Sequence, residues 1–229
     1  MAYQSLYRRY RSGTFNELVG QTHVVTALKN AVTENRVGHA YLFSGPRGTG
    51  KTSTARILGK ALNCTDLQPG GEPCCTCESC ISFQEGTSYD LQELDAASNN
   101  GVEAVRDLIS KVALGSPGKT KIYILDEVHM LTAGAENALL KTLEEPPSHV
   151  VFILATTEPH KVAPTIRSRT QHYEFELLPG DELAKHIRWV AEDAELTVTE
   201  EMIEYVPVSY THLRAHETLR YLVCRLLLE

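Results

Sequence analysis

The sequence predicts an α/β protein built on a parallel sheet with helices on both faces. Two observations predict it. Continuous apolar strands alternate with segments of helical period, the pattern of strands buried on both faces. A glycine-rich phosphate-loop pattern also stands between the first strand and the helix that follows it, which is its expected context.

The elements follow in order. Residues 14–40 read as mostly helical, because Val24, Val25, Leu28 and Val32 recur at three-to-four spacing and Gly38 follows as a stop. His39–Ser44 is a short apolar run between Gly38 and Gly45, a buried strand. A helix is predicted over Thr52–Leu62, then a cysteine-rich insert over 63–81, then a strand at Leu91–Asp95. Val102, Val105, Leu108, Ile109 and Val112 mark a helix, and Gly115–Gly118 a turn. Lys121–Asp126 is a third strand, with Tyr123 and two isoleucines favouring β structure. A helix around Glu136–Leu143 ends at Pro146-Pro147, and Val150–Ala155 is a fourth strand. From Leu178 onward the pattern is helical and more polar, which sets the domain boundary.

Charge and composition exclude several classes. The chain has 229 residues, with 22 Lys+Arg against 29 Asp+Glu and a formal charge of −7. A globally basic nucleic-acid coat is excluded, although a local DNA-binding face is not. No apolar run approaches the ~18–20 residues of a membrane helix. Met1–Arg11 lacks the apolar core of a signal peptide. A soluble cytoplasmic protein without a membrane partner is expected. Of 6 cysteines, five fall between Cys64 and Cys80, which reads as metal ligation rather than a secreted disulfide framework.

Gly45-Pro46-Arg47-Gly48-Thr49-Gly50-Lys51-Thr52 matches G-x-x-x-x-G-K-[ST] in full. Its glycines let backbone N–H groups turn inward around phosphates, and the helix N-terminus adds partial positive charge. Lys51 is expected on the β- and γ-phosphates and the Thr52 hydroxyl on Mg²⁺. Asp126 ends an apolar strand, so its carboxylate should emerge at the carboxyl edge of the sheet and hold Mg²⁺ through water. Glu127 is placed to polarise an attacking water. Thr156-Thr157 ends the fourth strand at the same edge, where a hydroxyl can meet the γ-phosphate or the lytic water. Without the loop, the acidic pair would read as a helix cap and the threonines as a turn.

Cys64-x9-Cys74-x2-Cys77-x2-Cys80 offers four thiolates for a tetrahedral zinc. Four thiolates leave no open position, so the site should be structural, stapling a loop too small to bury its own core. Cys75 is out of register, a free thiol or a support for the ligands, and Cys224 stands alone.

With these residues in hand, the chain resembles the gamma/tau family of bacterial DNA polymerase III clamp-loader ATPases over roughly residues 1–206. The resemblance rests on Phe15–Gln21, the phosphate loop, the four-cysteine insert directly after its helix, and Leu94–Ser98. It rests further on Asp126–Leu131, Leu139–Pro147 and Ala155–Pro159. It implies an AAA+ P-loop NTPase core over 1–178 with a zinc-binding insert at 63–81, and a truncated helical lid beginning at 179–206. It implies a motor subunit of a hetero-pentameric ring, beside delta and delta-prime type subunits. Such a subunit binds and hydrolyses ATP to load the sliding β clamp on primed DNA.

By motif match, Lys51 and Thr52 bind ATP–Mg²⁺, Asp126 and Glu127 serve the metal and the water, and Thr157, ahead of Thr156, is the first sensor. Cys64, Cys74, Cys77 and Cys80 ligate zinc. The family's Ser-Arg-Cys motif, which projects an arginine onto a neighbour's ATP, reads Ser168-Arg169-Thr170 here. A fixed guanidinium there offsets charge on the transferring phosphate. Adenine recognition is implied near Leu6, Tyr7 and Val19, and DNA contact near Ala97–Asn100 and Leu131–Gly134.

The chain departs from the family at Arg11-Ser12, where Arg-Pro is usual, and past Val206. Residues 207–229 match neither the family's second sensor nor its collar, and are expected to be a foreign tail on an N-terminal fragment. The alternatives are a non-hydrolysing stator of the delta-prime kind and another AAA+ DNA-remodelling ATPase. Intact loop residues argue against the first and the zinc insert against the second. No nucleotidyl-transfer residues are visible, so a polymerase classification belongs to the holoenzyme.

Overall fold

The computed structural model describes residues 9–112, 115, 118–199 and 202–203. Five parallel strands form one sheet in the order β2-β3-β4-β1-β5. They are β1 (Ala40–Ser44), β2 (Leu91–Asp95), β3 (Lys121–Asp126), β4 (Val150–Thr156) and β5 (Gln171–Glu174). The helices are α1 (Thr22–Thr33), α2 (Lys51–Asn63), α3 (Glu78–Glu85), α4 (Val102–Val112), α5 (Ala133–Glu144), α6 (Pro164–Arg167) and α7 (Gly180–Asp193).

The continuous apolar strands are explained by two cores, one on each face. Tyr123, Leu125, Phe152 and Leu154 point one way and pack with Val105, Leu139 and Leu143 of α4 and α5. Their neighbours Ile122, Ile124, Val151 and Ile153 point the other way and pack with Leu28, Ile57 and Leu58 of α1 and α2. Side chains alternate along a strand, so both parities must be apolar when both faces are covered. All-parallel pairing brings every strand's carboxyl end to one edge. Ser44 pairs with Thr156, and Asp95 with Asp126, along that edge.

The long helix predicted over 14–40 is shorter, covering only Thr22–Thr33. Before it, the chain turns, with Gly20 at φ 79°. After it, Asn35 adopts φ 53° and the Arg36 amide donates to the Ala31 carbonyl at 2.8 Å. That is a Schellman stop with Asn in the left-handed position, so the helix ends there and not at Gly38. Helix α3 lies partly within the cysteine insert, and β5 is an edge strand; neither was predicted. Leu6, Tyr7, Cys224 and the tail over 207–229 lie outside the described residues.

Candidate nucleotide-binding and metal sites

The phosphate loop leaves β1 and enters α2 through three left-handed glycines. Gly45, Gly48 and Gly50 have φ of 137°, 81° and 95°. A side chain at Gly45 would meet the Phe175 carbonyl oxygen at 2.2 Å, so the loop's first position accepts only glycine. Thr49 closes the turn by donating to the Pro46 carbonyl at 2.9 Å. The α2 N-terminus, with its unpaired amides, is thereby aimed into the loop.

Lys51 is the first residue of α2 and is 6% exposed. Its ammonium donates to the Gly45 and Pro46 carbonyls, both at 2.7 Å. Among the described residues it forms no ion pair. Burial pulls its pKa down to about 8, against the opposing pull of Glu127 and Asp126. A buried ammonium without a bonded carboxylate suits an incoming anion. A bound phosphate would favour its charged form further.

Thr52 and Asp126 meet across the carboxyl edge, where the Thr52 hydroxyl donates to Asp126 Oδ2 at 2.9 Å. Hydroxyl and carboxylate oxygens are the hard ligands that Mg²⁺ takes, usually beside waters and substrate phosphate. The donor set therefore fits a Mg²⁺–nucleotide.

Immediately after Asp126 the backbone turns left-handed, with Glu127 at φ 50° and ψ 45°. Such a conformation costs about 1–3 kcal/mol in a non-glycine residue. Two bonds hold the turn: the Glu127 amide donates to Asp126 Oδ1 at 3.0 Å, and the Met130 amide to the Glu127 carbonyl at 2.8 Å. Val128, fully buried, anchors it to the core. The turn sends the Glu127 carboxylate back toward the end of β4. There the Thr157 hydroxyl donates to Glu127 Oε2 at 3.0 Å.

The two threonines separate in role. Thr156 is 0% exposed and bonded within the protein, with its hydroxyl 3.0 Å from His129 Nδ1 and accepting from the Glu158 amide at 3.0 Å. Thr157 is the one that reaches the acidic pair. His129 is a site residue that motif reasoning missed. Its ring lies 3.5 Å from Glu127 Oε2 and 3.4 Å from Glu158 Oε1.

The structure does not bring Arg169 to this loop. It follows α6 and precedes β5, in an open cleft beside Ala40 at the amino end of β1. Five-residue strands separate the two edges by about 15 Å. Arg169 donates to the Thr165 carbonyl at 2.7 Å and to Glu144 Oε1 at 2.6 Å.

The cysteine insert brings four sulfurs together. Cys64, Cys74, Cys77 and Cys80 place their sulfurs within 4.8 Å of one another, and those of Cys74 and Cys80 are 3.9 Å apart. A zinc tetrahedron with bonds of about 2.3 Å has sulfur–sulfur edges of about 3.8 Å. Amides of the cysteines themselves point at the sulfurs: Cys74 N to Cys64, Cys77 N to Cys74, and Cys80 N to Cys77, at 3.3–3.4 Å. Burial pushes the Cys77 thiol up, but the Thr65 and Cys80 amides and the neighbouring side chains overturn that and bring it down to about 6. The Thr76 amide lowers Cys74, while burial raises Cys64 and Cys80. The donors fit a four-thiolate zinc. Cys75 points elsewhere, its sulfur 3.6 Å from both Lys60 Nζ and the Gly13 carbonyl.

The segments proposed for DNA contact touch each other: the Thr132 amide donates to the Asn100 carbonyl at 3.1 Å. Each also serves as a cap or turn. Thr132 caps α5 through the Ala135 amide, and Asp95 Oδ1 accepts from the Ala97 amide.

Comparisons with known proteins agree with this fold. The family model described as DNA polymerase III, delta subunit, matches residues 20–179. The DNA polymerase III subunit tau of Bacillus subtilis is 49% identical over 90% of this chain and 37% of its own length. The gamma/tau subunit of Mycobacterium tuberculosis is 54% identical over 76% of this chain and 31% of its own. The Escherichia coli tau subunit is 46% identical over 86% and 30%. The chain thus spans about a third of the length of these relatives. Among solved structures, the Thermotoga maritima RuvB Holliday junction branch migration motor aligns with TM-score 0.60 at 18% identity, over 88% of this chain and 60% of that one. That likeness shows the AAA+ P-loop fold and no more. Matched over most of its length, the chain belongs to the DNA polymerase III delta-subunit family, and it is similar to gamma/tau subunits.

Proposed function

We propose that this chain is the ATP-binding and ATP-hydrolysing motor of a bacterial clamp loader. In this reading it acts in a ring with other loader subunits to place a sliding clamp on primed DNA. The observation that carries it is the pairing of Thr52 with Asp126 at 2.9 Å, beside the buried Lys51. A stator subunit has no need of that arrangement. Residues 1–178 form the core that carries these groups, and 179–206 begin the lid.

In this mechanism the loop amides and Lys51 hold the β- and γ-phosphates. Thr52 and Asp126 would hold Mg²⁺, which supplies charge neutralisation on the phosphates when bound. Glu127 accepts a proton from the attacking water, and Thr157 hydrogen-bonds the γ-phosphate or that water. Arg169 serves the ATP of a neighbouring subunit, which its place at the far edge of the sheet supports. Cys64, Cys74, Cys77 and Cys80 hold a structural zinc. Phosphoryl transfer needs little covalent chemistry from the protein, so positioning and charge account for most of the rate.

Two substitutions test the reading. Lys51→Ala should weaken ATP binding about 10- to 100-fold, the worth of a charge-assisted hydrogen bond or two, with the fold unchanged. Glu127→Gln should bind ATP as tightly as wild type and lose about 10²- to 10⁴-fold in turnover within the assembled loader. Equilibrium dialysis and phosphate release measure both. A folded wild-type chain that binds no ATP points to a stator instead.

A further inference from the structure

We infer that His129 is a positioning residue for Glu127, holding its carboxylate so that one oxygen faces the attacking water. The inference rests on the reading of Glu127 as the group that activates that water.

Two groups approach the Glu127 side chain at the same oxygen. The Thr157 hydroxyl donates to Oε2 at 3.0 Å, and His129 Nδ1 lies 3.5 Å from it. A carboxylate steadied through one oxygen has its rotation fixed, and Oε1 is then the oxygen left to accept a proton. Thr157 alone cannot be a permanent anchor, because its hydroxyl is also the group assigned to the γ-phosphate or water. When Thr157 turns to the nucleotide, His129 is the contact that remains.

His129 is itself held from both sides. Its side chain is 7% exposed. Its Nδ1 edge is 3.0 Å from the buried Thr156 hydroxyl, which the Glu158 amide also fixes at 3.0 Å. Its Nε2 edge is 3.4 Å from Glu158 Oε1. Glu158 is in turn tied to Lys161 at 2.7 Å, and that contact, first among several, lowers its pKa. The ring therefore cannot rotate without breaking contacts to β4 and to the turn after it. The left-handed turn at Glu127 explains how it gets there. Residue 128 faces the core, and residue 129 comes to lie beside the carboxylate of residue 127.

The two ring nitrogens make the inference testable by isosteres. An asparagine amide can stand where Nδ1 stands, facing Thr156 and Glu127. A glutamine amide reaches instead toward the place of Nε2, facing Glu158. In the full chain assembled with its partner subunits, His129→Ala should lower kcat for ATP hydrolysis about 10- to 100-fold, the scale of a modest misplacement of a reacting group. ATP affinity and thermal midpoint should stay near wild type. His129→Asn should recover most of the rate, and His129→Gln should not. The Asn–Gln comparison stands even if His129→Ala folds poorly, since both replacements keep a polar side chain in the space.

Wild-type turnover in His129→Ala overturns the inference. So does equal turnover in the Asn and Gln variants, or a loss confined to ATP affinity. A wild-type assembly that neither binds nor hydrolyses ATP overturns the functional reading, and this inference with it. Hydrolysis by wild type with no effect at His129 overturns the inference alone.

Discussion

On helix α7, His186 stacks against Trp189 with ring centroids 5.5 Å apart, and Tyr10 meets the same indole edge-on at 5.6 Å. Burial disfavours the imidazolium and holds the pKa of His186 below its ordinary 6.5. The sign follows from linkage. The unfolded chain binds the proton more readily, so the stabilising contribution of neutral His186 is present above pH 6.5 and is lost as pH falls below it. Trp189 is the sole tryptophan, so its fluorescence reports this stack directly. Emission should fall in an acid transition centred below pH 6.5, because a protonated imidazole quenches a stacked indole. His186→Gln should abolish the transition. A midpoint above 6.5, or persistence in the variant, rejects the account.

Legibility at this scale depended on how local each residue's role is. Gly45 through Thr52 are readable because they form one loop, contiguous in sequence, between β1 and α2. Asp126 was readable because a strand end fixes its position. The preference for Thr157 over Thr156 came with the family resemblance, whereas the place of His129 depends on a single left-handed turn at Glu127. Glutamate has no sequence signal for φ 50°, so nothing in the chain announced that residue 129 would sit beside residue 127.

Among the elements, the insert gathers four sulfurs that could hold a metal in place of a larger core. Helix α3 has eight residues, begins at Glu78, and is capped by the sulfur of Cys77, which accepts from the Cys80 amide. A helix so short is marginal on its own. Two of the four proposed ligands lie in its first turn or at its cap, so zinc and helix should form together. Purified protein should carry about one zinc per chain by elemental analysis. A strong chelator should remove it, with loss of helical circular dichroism and a lower thermal midpoint. Retention of both signals in fully stripped protein would count against a structural role.

The same reasoning explains which elements were legible. β2, β3 and α4 were read with their observed bounds, because burial on one or both faces leaves a clean apolar period. β5 reads Gln-His-Tyr-Glu and is mostly exposed, so it has no apolar signature and is specified by pairing with β1. Helix α3 gave no signal because its eight residues bury only Cys80 and Phe83, too few to show a helical period.

For the molecule as a whole, the parallel sheet fixes which groups can meet. Lys51, Thr52, Asp126, Glu127 and Thr157 gather at one edge, and Arg169 sits near the other, held by Glu144 at 2.6 Å. In the proposed ring, Arg169→Ala should leave ATP binding by its own chain unchanged. Turnover in the assembly should fall about 10³-fold or more, the scale of a trans-acting arginine. A variant that loses its own ATP affinity instead would place the guanidinium in the wrong site.

In the proposed ring, that separation would make each subunit half of two reaction centres, a socket at one end and a plug at the other. Rate per molecule should then climb with concentration rather than stay constant on dilution. A copy with a flawless phosphate loop would fall silent beside a defective neighbour, and mixing experiments would read out that poisoning as a loss steeper than the fraction of damaged copies.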